Sequence, residues 1–60
     1  MSHPIVSEIA ARLDENLREA WEERAAVMEF DAGMQRDLAE ALALLLVLRQ
    51  YPDQALSALR

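Results

Sequence analysis

Ala41-Leu42-Ala43-Leu44-Leu45-Leu46-Val47-Leu48 is an unbroken apolar run, and the rest of the chain can be placed around it. On a helix turning about 100° per residue, Leu38, Leu42 and Leu45 fall in one line. Met34, Ala41, Leu44 and Leu48 lie to one side of that line and Leu46 to the other. The apolar arc covers roughly 200°, against the roughly 100° stripe with which a surface helix meets one core. Such a helix has two faces to cover, and a chain of 60 residues has one long partner helix to offer. The excess predicts a second copy of the chain, with Leu42, Leu45, Leu46 and Leu48 buried between copies.

Composition points the same way. The apolar fraction is 53%, yet Phe, Trp and Tyr occur once each. Ala and Leu supply most of the remainder, and both are strong helix formers. One Gly and two Pro leave little punctuation for strands or long loops. A chain this short buries only about 60% of its unfolded surface. Without Cys it has no disulfide to compensate. The expected fold is all-α: one domain over residues 1–60, a helical hairpin with a short C-terminal helical turn, dimerising into an antiparallel four-helix bundle.

Working outward, Pro4 fits the first turn of a helix, with Ser2 or His3 before it. No Gly or Pro then interrupts until Gly33, and the spacing predicts one helix over about 4–30. Measured from Glu15, Val6, Leu13 and Leu17 lie near about 180°. Ile9, Ala10, Ala20, Trp21, Val27 and Met28 flank them, which puts Trp21 at the margin, its ring half covered and its N–H wet. Glu8, Glu15, Glu19, Glu22 and Glu29 fall within about 40° of zero. Glu8–Arg12 and Asp14–Arg18 have the acid-first spacing of four that adds about 0.3 kcal/mol each.

Arg24 also falls near about 180°, in the middle of the apolar face. A buried, unpaired guanidinium is very costly. Its stem can snorkel past the bundle end; alternatively Asp31, Asp37, Glu40 or an acid of the second copy pairs with it and fixes the hairpin angle.

The corner is expected at 31–34, where Gly33 can take φ > 0 at little cost. A second helix follows over about 35–50. It stops at Tyr51, which Pro52 pushes out of the helical region. Pro52 then opens a short helix over about 52–59, too short to hold alone, so Leu56 and Leu59 must pack on something.

Chemistry-bearing patterns are sparse. His3 is the single His, there is no Cys, and Ser2, Ser7 and Ser57 have no base placed to activate them. No catalytic residue is assigned and the protein reads as a non-enzyme. A carboxylate metal bundle needs Glu-x-x-His motifs on inward faces; none is present, so neither metal nor cofactor is expected. Eleven acids against six Arg give a net charge of −5, which disfavours nucleic-acid binding. A DNA-reading second helix would have only Arg36, Glu40 and Gln50 on its outer strip. The apolar run is too short to span a bilayer. The opening Met-Ser-His-Pro lacks signal-peptide character, so a soluble cytoplasmic protein is expected.

The segment Glu23-Arg24-Ala25-Ala26-Val27-Met28-Glu29-Phe30-Asp31-Ala32-Gly33-Met34 resembles a short segment recurring in phage and mobile-element proteins, including primase-like and other replication-associated ones. The recurring form is roughly ERAAI-x-E-[FY]-D-G-G-L-[ST]-R-x-E-A-E, and the match extends to Glu40. Its paired glycines are Ala32-Gly33 here. Its Ser or Thr cap is Gln35, and the Glu that completes a capping box is Leu38, a loss of about 1 kcal/mol. The resemblance implies a mobile-element origin and a helix–turn–helix hairpin, without an activity.

Residues 1–33 carry eight acids and three Arg, and residues 34–60 three of each. All net charge therefore lies on the first expected helix, along a line of about 30 Å from Glu8 to Glu29. That line is either an ordinary solvated face or a surface for a basic partner. The first functional expectation is a homodimeric accessory protein of a phage or mobile element that also binds another protein. The alternative is an acidic inhibitor that mimics nucleic acid toward a host defence or nucleic-acid-binding enzyme. A small DNA-binding regulator is the third.

Overall fold

The computed structural model describes residues 3–59, with the side chain of Leu59 outside the described set, as are Met1, Ser2 and Arg60. Four helices follow in order: α1 (Pro4–Arg12), α2 (Glu15–Phe30), α3 (Arg36–Gln50) and α4 (Pro52–Leu59). The chain is all-α, and no helix among the described residues is long and apolar enough to cross a membrane.

The helix expected over 4–30 is two helices. Leu13 (φ −69°, ψ 148°) and Asp14 (φ −68°, ψ 172°) are both extended. The Leu13 N–H closes the end of α1 on the Ala10 carbonyl at 3.1 Å. The Asp14 carboxylate then caps α2 by accepting from the Leu17 N–H at 2.8 Å, where an Ala would forfeit about 1 kcal/mol. Asp14 is thus occupied as a cap, and of the two acid-first pairs only Glu8–Arg12 forms an ion pair, at 3.7 Å. The break lets α1 turn onto α3 and α4 as well as α2. Val6, Ala10 and Leu13 thereby join Leu17, Trp21, Ala43, Leu44, Val47 and Ala55 in one core. At the other end of α1, Pro4 follows His3, whose Nδ1 accepts from the Ile5 N–H at 3.2 Å.

The break also explains Arg24. With α1 no longer extending α2, the buried line of α2 is Leu17, Trp21 and Ala25. Its centre is turned about 60° from Arg24, which stands at the border of the face. Arg24 is exposed, and the ion pairs among the described residues, Glu8–Arg12 and Arg36–Glu40, do not involve it. Of the two outcomes open to Arg24, escape to water rather than pairing within the chain is the one the structure has.

The α2–α3 corner is built as the glycine suggests. Gly33 has φ 66°, the one positive φ in the described chain. The Met34 N–H bonds back to the Met28 carbonyl at 3.1 Å, satisfying one of the last carbonyls of α2. The cap residue of α3, Gln35, makes no side-chain cap hydrogen bond. A Cβ at Gly33 would meet nothing within 4 Å, so the obstacle to substitution is conformational rather than steric. Gly33→Val should cost about 1–2 kcal/mol through the left-handed penalty, read as a lower denaturant midpoint at unchanged slope. An unchanged midpoint would mean that the turn tolerates a side chain.

α2 and α3 form the main packing pair. Trp21 to Phe30 share one cleft with Arg36 and Glu40, while Ala20 to Val27 share another with Gln50 and Tyr51. Small residues are prominent in the buried set of these two helices: Ala39 and Ala43 are fully buried and Ala25 nearly so. Pro52 begins α4 as expected, and its N-terminal turn closes with the Ala55 N–H on the Tyr51 carbonyl at 2.9 Å. On α4 the residue that packs is Ala55, fully buried, whereas Leu56 is exposed.

Candidate functional site

The residues that could meet a partner lie on two surfaces, both determined by how α3 is turned. Its core face is Ala39, Glu40, Ala43, Leu44 and Val47. On the opposite side stand Leu38, Leu42 and Leu45, with 56%, 36% and 61% of their surfaces exposed. These three follow a spacing of four and three, so they form one stripe along the helix. Of the four leucines expected between copies, Leu42 and Leu45 are exposed, and Leu46 and Leu48 are half-buried at the flanks. Leu48 also packs against the core. Leu38 extends the stripe toward the N-terminus of α3.

Glu40 is the main reversal. Expected on the outer strip with Arg36 and Gln50, it is 9% exposed and faces α2. Ala39 and Ala43 share the inward face of α3 with Leu44 and Val47. Trp21 is correspondingly buried rather than half wet. Its Nε1–H donates to the Glu40 main-chain carbonyl at 2.8 Å, using the second lone pair of an oxygen already in the helix ladder.

The Glu40 carboxylate is poorly satisfied. Its Oε2 stands 3.7 Å from Arg36 Nε, beyond hydrogen-bonding range. Its Oε1 is buried without a donor, a desolvation cost of roughly 1–3 kcal/mol for such a group, more when charged. Beside it opens a cleft of about 380 Å³ between α2 and the start of α3. Trp21, Phe30, Glu22, Glu29 and Arg36 line it with Glu40. No spacing rule singled out this cleft beforehand, although Glu40 shares a helix side with Leu44 and Val47, four and seven residues on.

The five acidic residues expected on one line are divided by the helix break. Glu8 lies on α1, and Glu15, Glu19, Glu22 and Glu29 on α2. Glu8, Glu15, Glu19 and Glu22 are exposed, and Glu29 is half-buried. The continuous strip is thus limited to α2, about 21 Å from Glu15 to Glu29. Among the described residues, no group of three or more His or acidic side chains is placed to hold a metal ion. Arg24 lines a second cleft of about 310 Å³ with Glu23 and Tyr51.

The chain matches no protein-family model, and comparison with curated proteins and with solved structures likewise gave no match.

Proposed function

We propose that the protein is a non-enzymatic helical interaction module that acts as a homodimer, an accessory protein of a phage or mobile element working in the cytoplasm. The observation that carries this reading is the outward stripe Leu38, Leu42 and Leu45, directly opposite the core face of α3. Contiguous exposed apolar surface on a small protein marks an association site. The stripe is also self-complementary. In an antiparallel pair of α3 helices with the two-fold axis between Leu42 and Leu45, each Leu42 meets the Leu45 of the second copy. Arg49, at the end of each α3, then approaches the partner's first turn, which carries Asp37. The resemblance of Glu23 to Glu40 to the recurring mobile-element segment supports the biological setting. Sedimentation equilibrium at micromolar concentration should return about twice the 6.8 kDa chain mass. A folded monomer under those conditions would refute the homodimer.

The second reading, an acidic protein that binds a basic surface, is favoured by a separate observation. Glu15, Glu19 and Glu22 are exposed on α2, and neither ion pair among the described residues involves them. Capture of a nucleic-acid-binding enzyme from host lysate, lost when these three are changed to Arg, would favour it. Capture of another protein of the element, indifferent to those charges, would favour the accessory role.

A further inference from the structure

We propose that the cleft between α2 and α3 receives the guanidinium of an arginine side chain presented by a partner protein. This rests on the second reading above and gives it a specific pocket. The Glu40 side chain lies in the cleft wall with 12% of its surface exposed, and its Oε1 is buried without a donor. A carboxylate offers about four acceptor positions. Arg36 fills them poorly: its Nε is 3.7 Å from Oε2, and its side chain is largely in solvent. An entering guanidinium takes the place of Arg36, which swings into water, and delivers paired N–H donors to both Glu40 oxygens.

The rest of the wall selects the same group. Glu22, Glu29 and Glu40 line the cleft together with Arg36, a net charge of −2 (three negative, one positive). Phe30 is 78% exposed at the cleft and offers a ring face. A flat, weakly hydrated guanidinium stacks on such a ring while its edge bonds a carboxylate, and a strongly hydrated ammonium does this less well.

Trp21 is the single Trp of the chain and lines the cleft, so its emission reports occupancy. The probe is a short acetylated, amidated peptide alternating arginine and alanine, compared with its lysine and glutamine counterparts. The arginine peptide should change Trp21 emission saturably and shift the backbone amides of Trp21, Phe30 and Glu40. The lysine peptide should bind about tenfold more weakly and the glutamine peptide not measurably. Glu40→Gln should weaken arginine-peptide binding about tenfold. If that variant does not fold, Glu22→Gln with Glu29→Gln carries the same test on more accessible residues. Equal binding of arginine and lysine peptides, with shifts confined to Glu15 and Glu19, would overturn the cleft while keeping the general acidic surface. Binding of neither peptide would overturn both.

Discussion

Trp21→Ala should leave the chain largely unfolded. Trp21 is the largest side chain in the core and hydrogen-bonds from α2 to α3. Its removal should cost about 3–5 kcal/mol, from lost burial and the cavity left behind. A single core in a chain of this size supplies about 3–5 kcal/mol in all, so the substitution consumes nearly the whole margin. The surrounding wall is too poor in large side chains to refill the space, since Ala25, Ala39 and Ala43 present only methyl groups. Trp21→Phe isolates the smaller part. It keeps an aromatic ring but removes the donor to the Glu40 carbonyl, and should cost about 2 kcal/mol. Far-UV circular dichroism through a thermal melt reads both variants. A cooperative transition for Trp21→Ala near the wild-type midpoint would show that the helices are held together elsewhere.

Legibility followed the kind of constraint each residue imposes. Pro4, Gly33 and Pro52 restrict the backbone directly, and the helix starts and the corner near them lie where the sequence places them. The break at Leu13–Asp14 was hidden because neither residue is confined to extended geometry. Val6, Leu13 and Leu17 keep helical phase across it, so periodicity reads straight through. What decides the break is tertiary: an extended Leu13 lets α1 turn onto α3 and α4, and Asp14 makes the new helix start cheap by capping it. Asp14 could have signalled this, but an Asp before a Glu fits a solvated helix face just as well.

The positions of Arg24 and Glu40 have related origins. Once α1 and α2 separate, the apolar phase of α2 is its own, and Arg24 moves to the border. On α3, hydrophobicity alone favours the leucine side as the core side. The side that carries Ala39, Ala43, Leu44 and Val47 turns inward instead, and Leu38, Leu42 and Leu45 are left outside. The two-faced character of α3 was legible; which face turns inward was not, because both carry large apolar side chains, Leu44 and Val47 on one and Leu38, Leu42 and Leu45 on the other.

That inversion gives the outer leucines a sharp test. Leu42→Glu combined with Leu45→Glu should convert the proposed dimer to a monomer while leaving the helices intact. Both side chains lie away from the core cluster, so charging them should not disturb packing within one chain. In the antiparallel pair the substitutions place four carboxylates around the two-fold axis, each desolvated at a cost of several kcal/mol and repelled by the others. Even a combined penalty of about 4 kcal/mol weakens association by about a thousandfold, enough to dissociate a micromolar dimer. The chain is already acidic, with a net charge of −5, so the added charge also opposes any looser association. Leu44→Ala is the inward counterpart, since Leu44 is buried in the core. It should cost about 2–5 kcal/mol of folding stability without a charge to force the copies apart. Sedimentation equilibrium and far-UV dichroism on both variants separate the outcomes. The double variant should sediment at the single-chain mass with wild-type helicity, and Leu44→Ala should lose helicity at lower denaturant. If the double variant instead loses its helical signal at concentrations where the wild-type protein is monomeric, Leu42 and Leu45 stabilise the single chain and the α3 pairing is wrong.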